Sequence, residues 1–365
     1  RPPRSTLFLY TTLFRSIDSV INPYMVEKIG FSTGGFEAKY GDKMSSALDI
    51  TYRRIKGFEA SATGSLLGAS GFVGYGNSRF SMSHGIRYKT TRYLLGSLET
   101  TGEYRPSFID YQTYISYKPN NRWMIDFIGN ISENHYNFEP EDRETKFGTL
   151  ADVKSFKVYF DGEEKDVFRT FFGTASIAHH FNERTSVKFL TSAFHTKESE
   201  RYDIMGQYWL DDTQTQENLG VGTYMEHARN YLTADVVSFK LVGNHRTQHH
   251  DIEAGVTYKT EHIKEQSREY EMRDSSGYSI PHSADRLDLI YTLNAKNDVK
   301  SHRIEAYIQD TYRFAKGNTY FTLNYGVRLA NWSFTKETIV SPRASLAIVP
   351  ISRSEERFSR NAETD

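Results

Sequence analysis

Residues able to do chemistry are scattered in small groups along this 365-residue chain. His179 adjoins His180, His249 and His250 precede Asp251, Glu133 and His135 flank Asn134, and residues 139–144 are mostly acidic. Imidazoles and carboxylates in such company ligate divalent metals or move protons. The spacing argues against that use. Each histidine pair lies beside a short polar break in a stretch of alternating polarity, where neighbouring side chains point to opposite faces of a strand and do not readily share an ion. They read as solvated turn histidines, and the acidic runs as solvated surface rather than a cation trap. No metal, cofactor or catalytic residue is assigned. Glycine loops for phosphate, zinc helices and nucleotide fingerprints are missing from the sequence. With no Cys there is also no disulfide framework, thiolate nucleophile or iron–sulfur cluster.

The elements that would carry these groups are strands. Phe58, Ala60, Ala62, Gly64 and Leu66 share one face, with Glu59, Ser61, Thr63 and Ser65 on the other. Later, Phe321, Leu323, Tyr325, Val327 and Leu329 oppose Tyr320, Thr322, Asn324, Gly326 and Arg328. This is a period of two, one face suited to lipid and the other to water. Short polar breaks at 118–121, 182–185, 243–250 and 315–318 recur roughly every 60–70 residues, and between them lie long polar excursions at 133–166, 195–230 and 261–285. Tight turns at one end and long loops at the other are the pattern of an outer-membrane barrel. Tyr75, Tyr88, Tyr117, Phe181, Tyr258, Tyr312 and Phe314 fall near strand ends, as an interfacial aromatic girdle requires.

Composition agrees. Aromatic residues make up 14% of the chain and hydrophobic residues only 38%, and no window approaches the roughly 18–20 apolar residues of a spanning helix. A balance of 45 Lys and Arg against 46 Asp and Glu gives no electrostatic footprint for nucleic acid. Residues 1–16 and 353–365 resemble translated sequencing adapters and are set aside as non-native, so the true termini lie elsewhere.

The most specific signal precedes the first wall strand. Gly34, Gly35, Phe36, Ala38, Tyr40, Gly41, Ser45, Ser46, Leu48, Asp49 and Ile50 stand in an order that strongly resembles the end of the plug domain of TonB-dependent outer-membrane receptors. The strands at 326–334 and 341–350 look like mid-barrel strands of the same family. The resemblance implies residues 17–54 as the C-terminal part of a plug and 55–352 as a partial transmembrane antiparallel β-barrel, all-β, with about 12 of an expected 22 or so strands. It further implies active uptake of a scarce siderophore, vitamin, glycan or peptide across the bacterial outer membrane. Partners would be outer-membrane lipid, the TonB complex acting through an upstream segment, and a surface lipoprotein if the ligand is a glycan. A passive porin and a barrel enzyme with a Ser, His or Asp rim site are the alternatives. Loop aromatics Tyr136, Phe138, Tyr202, Trp209 and Tyr270 are candidate ligand contacts, although the substrate itself carries no transferable code.

Overall fold

The computed structural model describes residues 21–33, 37–41, 46–90, 102–149, 152–274 and 286–350. Both adapter-like strings, and Gly34, Gly35, Phe36 and Ser45, lie outside the described residues. After a one-turn 3-10 helix (Pro23–Met25) come β1 (Val26–Thr33) and β2 (Ser46–Tyr52), an antiparallel pair apart from the rest. All other strands join a fourteen-stranded sheet. Its continuous path runs through twelve: β3 (Gly57–Ser65), β4 (Gly68–Gly76), β5 (Phe80–Thr90), β7 (Ser107–Asn120), β8 (Trp123–Pro140), β10 (Asp152–His180), β11 (Thr185–Asp212), β12 (Asn218–Arg246), β13 (His250–Asp274), β14 (Asp288–Lys316), β15 (Thr319–Trp332) and β16 (Glu337–Pro350). Short β6 (Gly102–Tyr104) and β9 (Arg143–Thr149) pair with β8 and β10 off that path. This is a partial, unclosed barrel with β3 and β16 at its edges.

One set of turns is built by a repeated device. Asn77, Asn120 and Asn182 each accept from the backbone N–H two residues on, at 2.9 Å. The Asn side chain there mimics a backbone turn and reverses the chain in two to four residues. At the opposite end the strands are far longer than a membrane crossing. β10, β12 and β14 have 29 residues each, where about 9–11 cross a bilayer. Much of the sequence that reads as polar loop is therefore paired ladder. Tyr202, for example, sits opposite Ala228, and Ala228 opposite Glu269. The hydrophobic alternation fades there because both faces are polar, yet the backbone goes on pairing.

Burial is inverted relative to a water-soluble fold. Ser81, Ser83, Gln112 and Ser116 are at most 2% exposed, while Leu241, Val256 and Ile308 are more than 50% exposed. The concave face is polar and covered, and the convex face is apolar and open. On β14 the face from Ile304 to Phe314 spans about 33 Å of strand and about 25 Å of height at the usual tilt, the thickness of a lipid-facing belt, and is apolar apart from Asp310, which is paired with His250 and Tyr325. Among the described residues no helix is long and apolar enough to cross a membrane, so any crossing is by strands. Ile308→Arg, at mid-belt, should destabilise the sheet in lipid by about 2–4 kcal/mol, whereas Leu219→Arg, beyond the belt, should cost about 0–1 kcal/mol. Denaturant titration of both variants in vesicles reads the difference.

Candidate functional site

The segment that precedes the sheet is seated on its concave face at two places far apart in sequence. The first seat is on the early strands. Asn22 donates its backbone N–H to Gln112 Oε1 at 2.9 Å, and Arg87 donates to the carbonyl of Ile21 at 3.0 Å. Arg87 is held in turn by Asp110, at 3.0 Å from Nε to Oδ1 with a second bond beside it. Both side chains of that ion pair are almost fully buried. Ile55 donates its N–H to Ser81 Oγ at 2.8 Å. Around these bonds Met25, Ile55, Phe72 and Tyr114 form a small apolar core, with the Tyr52 ring 5.3 Å from that of Tyr114.

The second seat is on the late strands. Lys39 donates its N–H to Gln309 Oε1 at 2.8 Å, and Gln309 Nε2 donates to Glu37 at 3.2 Å. Arg328 donates to the carbonyls of Ala38 and Lys39, and Arg343 to those of Glu37 and Tyr40, at 2.6–3.4 Å. A buried ion pair with Glu305 fixes Arg328. Guanidinium groups suit this task because one rigid fork satisfies several carbonyls of a backbone that makes no ladder of its own. Gly41 follows from the same packing, since a Cβ there would overlap the Arg328 guanidinium. Tyr40 reaches back to Asp49 through its hydroxyl at 3.0 Å, and Ser46 begins β2. Segment 37–41 thus touches β14, β15 and β16, while residues 21–25 and 55 touch β4, β5 and β7. The sheet curls around the segment from both ends.

Toward the long-hairpin end the concave wall becomes acidic. Asp166, Glu200, Asn230 and Ser267 lie abreast on β10 to β13, with Glu198, Glu265 and Glu269 in adjoining rows. Asn230 Nδ2 bridges two of the carboxylates, donating to Glu200 at 3.2 Å and Glu269 at 2.6 Å. Asp166 Oδ1 and Asn230 Oδ1 are buried with no hydrogen-bond partner. Burial, then the charges of Glu164 and Glu200, push the Asp166 carboxyl well above the usual carboxylate range, and burial also raises Glu198 and Glu200. These groups lie beyond Phe171, where the apolar band of β10 ends.

The other residues singled out by sequence are dispersed. The aromatics divide by parity: Tyr136, Phe138 and Tyr202 face the concave wall, while Tyr270 stacks at 4.5 Å on His227 on the convex side. The Trp209 indole N–H is buried without a partner. His179 packs against Trp123 and Phe181 at 4.2 and 4.7 Å. His250 hydrogen-bonds Asp310 at 2.6 Å and stacks on Tyr312, while Asp251, on the opposite face, pairs with Arg246 at 2.9 Å. His135 and Arg169 share Glu133 at 2.6 and 2.7 Å. Among the described residues no cluster of His, Asp and Glu has the arrangement of a metal site. The arginine seats left little trace in sequence. Their one signal is a charge on the polar face of an otherwise membrane-like strand, as at Arg87, Arg328 and Arg343.

Two outcomes test this geometry. Arg328→Met should cost about 3–5 kcal/mol in urea unfolding by stranding the buried Glu305 carboxylate, and adding Glu305→Leu should recover most of it. The second concerns pH. Carboxyls raised in the folded state give stability that is complete below their unfolded values near 4 and is lost as pH rises through the raised values. The hairpin end should therefore resist proteolysis at residues 213–217 better at pH 5 than at pH 8, and Asp166→Asn should flatten the difference.

Comparison with known proteins places this geometry. The family described as TonB dependent receptor-like, beta-barrel matches residues 126–351, more than half of the chain. Among solved structures, the ferric-catecholate import receptor Fiu from E. coli K12, in its open form, aligns over 90% of this chain and 68% of its own, with 8% identity and a TM-score of 0.37. That likeness is too slight to carry an argument. No curated protein sequence matches. Proteins of the matched family are outer-membrane β-barrels that couple to TonB and take up small-molecule ligands, and they are receptors rather than enzymes. On a match over most of its sheet, the chain belongs to the TonB-dependent receptor family.

Proposed function

We propose that the chain forms the end of the plug and the adjoining part of the barrel of an active transporter in the bacterial outer membrane, as a piece of a longer receptor. The observation that carries this reading is the seating of residues 21–25 and 37–41 on the concave face through Arg87, Gln309, Arg328 and Arg343. A passive porin needs an open lumen, whereas here polar side chains from both ends of the sheet converge on a segment held at its concave face. The seat is made of hydrogen bonds and ion pairs rather than a large apolar core. Such contacts let go and reform at modest cost in a wet lumen, which suits a plug that must shift under a pull from TonB.

The acidic wall supports a ligand carrying positive charge. Carboxylates held close together and partly protonated are relieved when a cation arrives, and the unpartnered oxygens of Asp166 and Asn230 are ready acceptors. On this reading the short turns face the periplasm and the long hairpins the cell exterior. The test is uptake by cells carrying the receptor completed from its gene, with and without TonB. Accumulation of a cationic ligand should require TonB and fall about tenfold or more in Glu200→Gln/Glu269→Gln, because two carboxylates no longer accept charge-assisted hydrogen bonds from the ligand. Uptake that persists without TonB would replace the active transporter with a passive pore.

A further inference from the structure

The acidic side of the long hairpins has a spacing as well as a sign. Three successive concave rows on β10 to β13 each hold two carboxylates: Glu198 and Glu265 in the first, Asp166 and Glu200 in the second, Glu164 and Glu269 in the third. Rows two residues apart lie about 6.8 Å apart along a strand, so the three span about 14 Å. Asp166 stands directly opposite Glu200, a like-charged pairing that weakens a sheet and that strand pairing does not call for. The neighbours of these groups leave the charge in place. Glu198 accepts from Thr196, Glu200 from Asn230, Glu265 from Asn297 and Ser267, and Glu269 from Asn230 and Tyr291, every donor neutral. Within the three rows β10 to β14 carry no Lys, Arg or His. The flanking cations on this side of β13 are engaged elsewhere. Arg273, further out, is bonded to Glu271, and Lys259, deeper in, faces Glu261 at 3.8 Å.

Asp166 points to a ligand independently. It is 5% exposed, and its Oδ1, in the middle row, makes no hydrogen bond. A buried acceptor without a donor is costly, and a cationic group supplies one. The period of the ladder selects the kind of cation. An extended peptide repeats the side chains of one face every two residues, the same about 6.8 Å as the rows, because wall and peptide are the same kind of chain. We propose that the wall binds an extended peptide lying along the strands with Lys or Arg at every second residue, so that successive basic side chains meet successive rows. Their ammonium or guanidinium heads take the carboxylates. Phe168, Tyr136 and Tyr202, one in each row, receive the aliphatic stems and the faces of the cations. The intervening side chains of the peptide point away from the wall. The proposal rests on the reading of this wall as a cation site and names the class of ligand.

The test is calorimetric binding to the receptor completed from its gene and purified in neutral detergent. The probes are a capped peptide Lys-Ser-Lys-Ser-Lys, its capped isomer Lys-Lys-Lys-Ser-Ser of equal charge, spermidine, whose nitrogens lie closer together, and N-acetyl-lysinamide as a single cation. The alternating peptide should bind about tenfold more tightly than its isomer or spermidine, the worth of one charge-assisted contact, and about a hundredfold more tightly than acetyl-lysinamide. Glu265→Gln in the first row and Glu269→Gln in the third should each weaken the alternating peptide about tenfold, because it reaches both. The comparison of probes needs no variant and stands if either substitution prevents folding. If the isomer, spermidine or acetyl-lysinamide binds as tightly as the alternating peptide, the proposal falls while the wall remains a cation site. Peptide binding that neither Gln variant weakens overturns it as well. Binding by none of the four probes removes the cation reading of the wall itself.

Discussion

Everything in this molecule hangs on the hydrogen bonds between neighbouring strands. In hydrocarbon no water is available to satisfy a peptide group, so each N–H and C=O in the belt must find its partner across the ladder. Once that is imposed, side chains have two places to go, and each strand becomes a two-sided list. In the belt the list reads apolar against polar, and the buried polar face is where the preceding segment finds its contacts. Beyond the belt the ladder continues without lipid to demand it. There the concave side gathers carboxylates such as Asp166, Glu198, Glu200, Glu265 and Glu269, while the convex side mixes arginines and lysines with acids such as Glu133, Glu163 and Asp203.

The two arginine seats give that arrangement a mechanical character. Arg87 and Arg328 are each nearly buried and each neutralised by one carboxylate of a neighbouring strand, Asp110 and Glu305. Each then turns its remaining donors to backbone carbonyls of the segment inside. A buried pair of this sort adds little net stability compared with apolar packing of equal volume, although removing one partner is costly. What it supplies here is address: residues 21–25 and 37–41 are drawn to defined points on strands that lie at opposite ends of the sheet. Gly41 belongs to the same device, since its missing side chain is the space the Arg328 guanidinium fills.

Much of the fold is legible from residue types alone, because apolar belt residues such as Leu323, Tyr325 and Val327 alternate plainly and the Asn-led turns break the pattern sharply. The order from Gly34 to Ile50 points to the segment that precedes the wall. Sequence reads less well where both faces are polar. Residues 195–212 and 218–230 look like loop because hydrophobicity is the signal being followed, yet they pair residue for residue. Charge, taken at every second position, carries the information there. The seats are hidden for another reason: Gln309 and Lys39 are 270 residues apart, and no local pattern joins them.

The extended hairpins have a consequence for how such a chain can change over generations. One face is acidic and the other mixed in charge, and the assignment of face is set only by whether a residue sits at an odd or even place in the register. Inserting or deleting one residue within β11 or β12 would turn carboxylates toward the lipid side and arginines toward the interior for everything beyond it. Length variation in these arms should therefore come in steps of two, or be absorbed at places such as Leu210 and Asp211, where the register of β11 against β12 already slips.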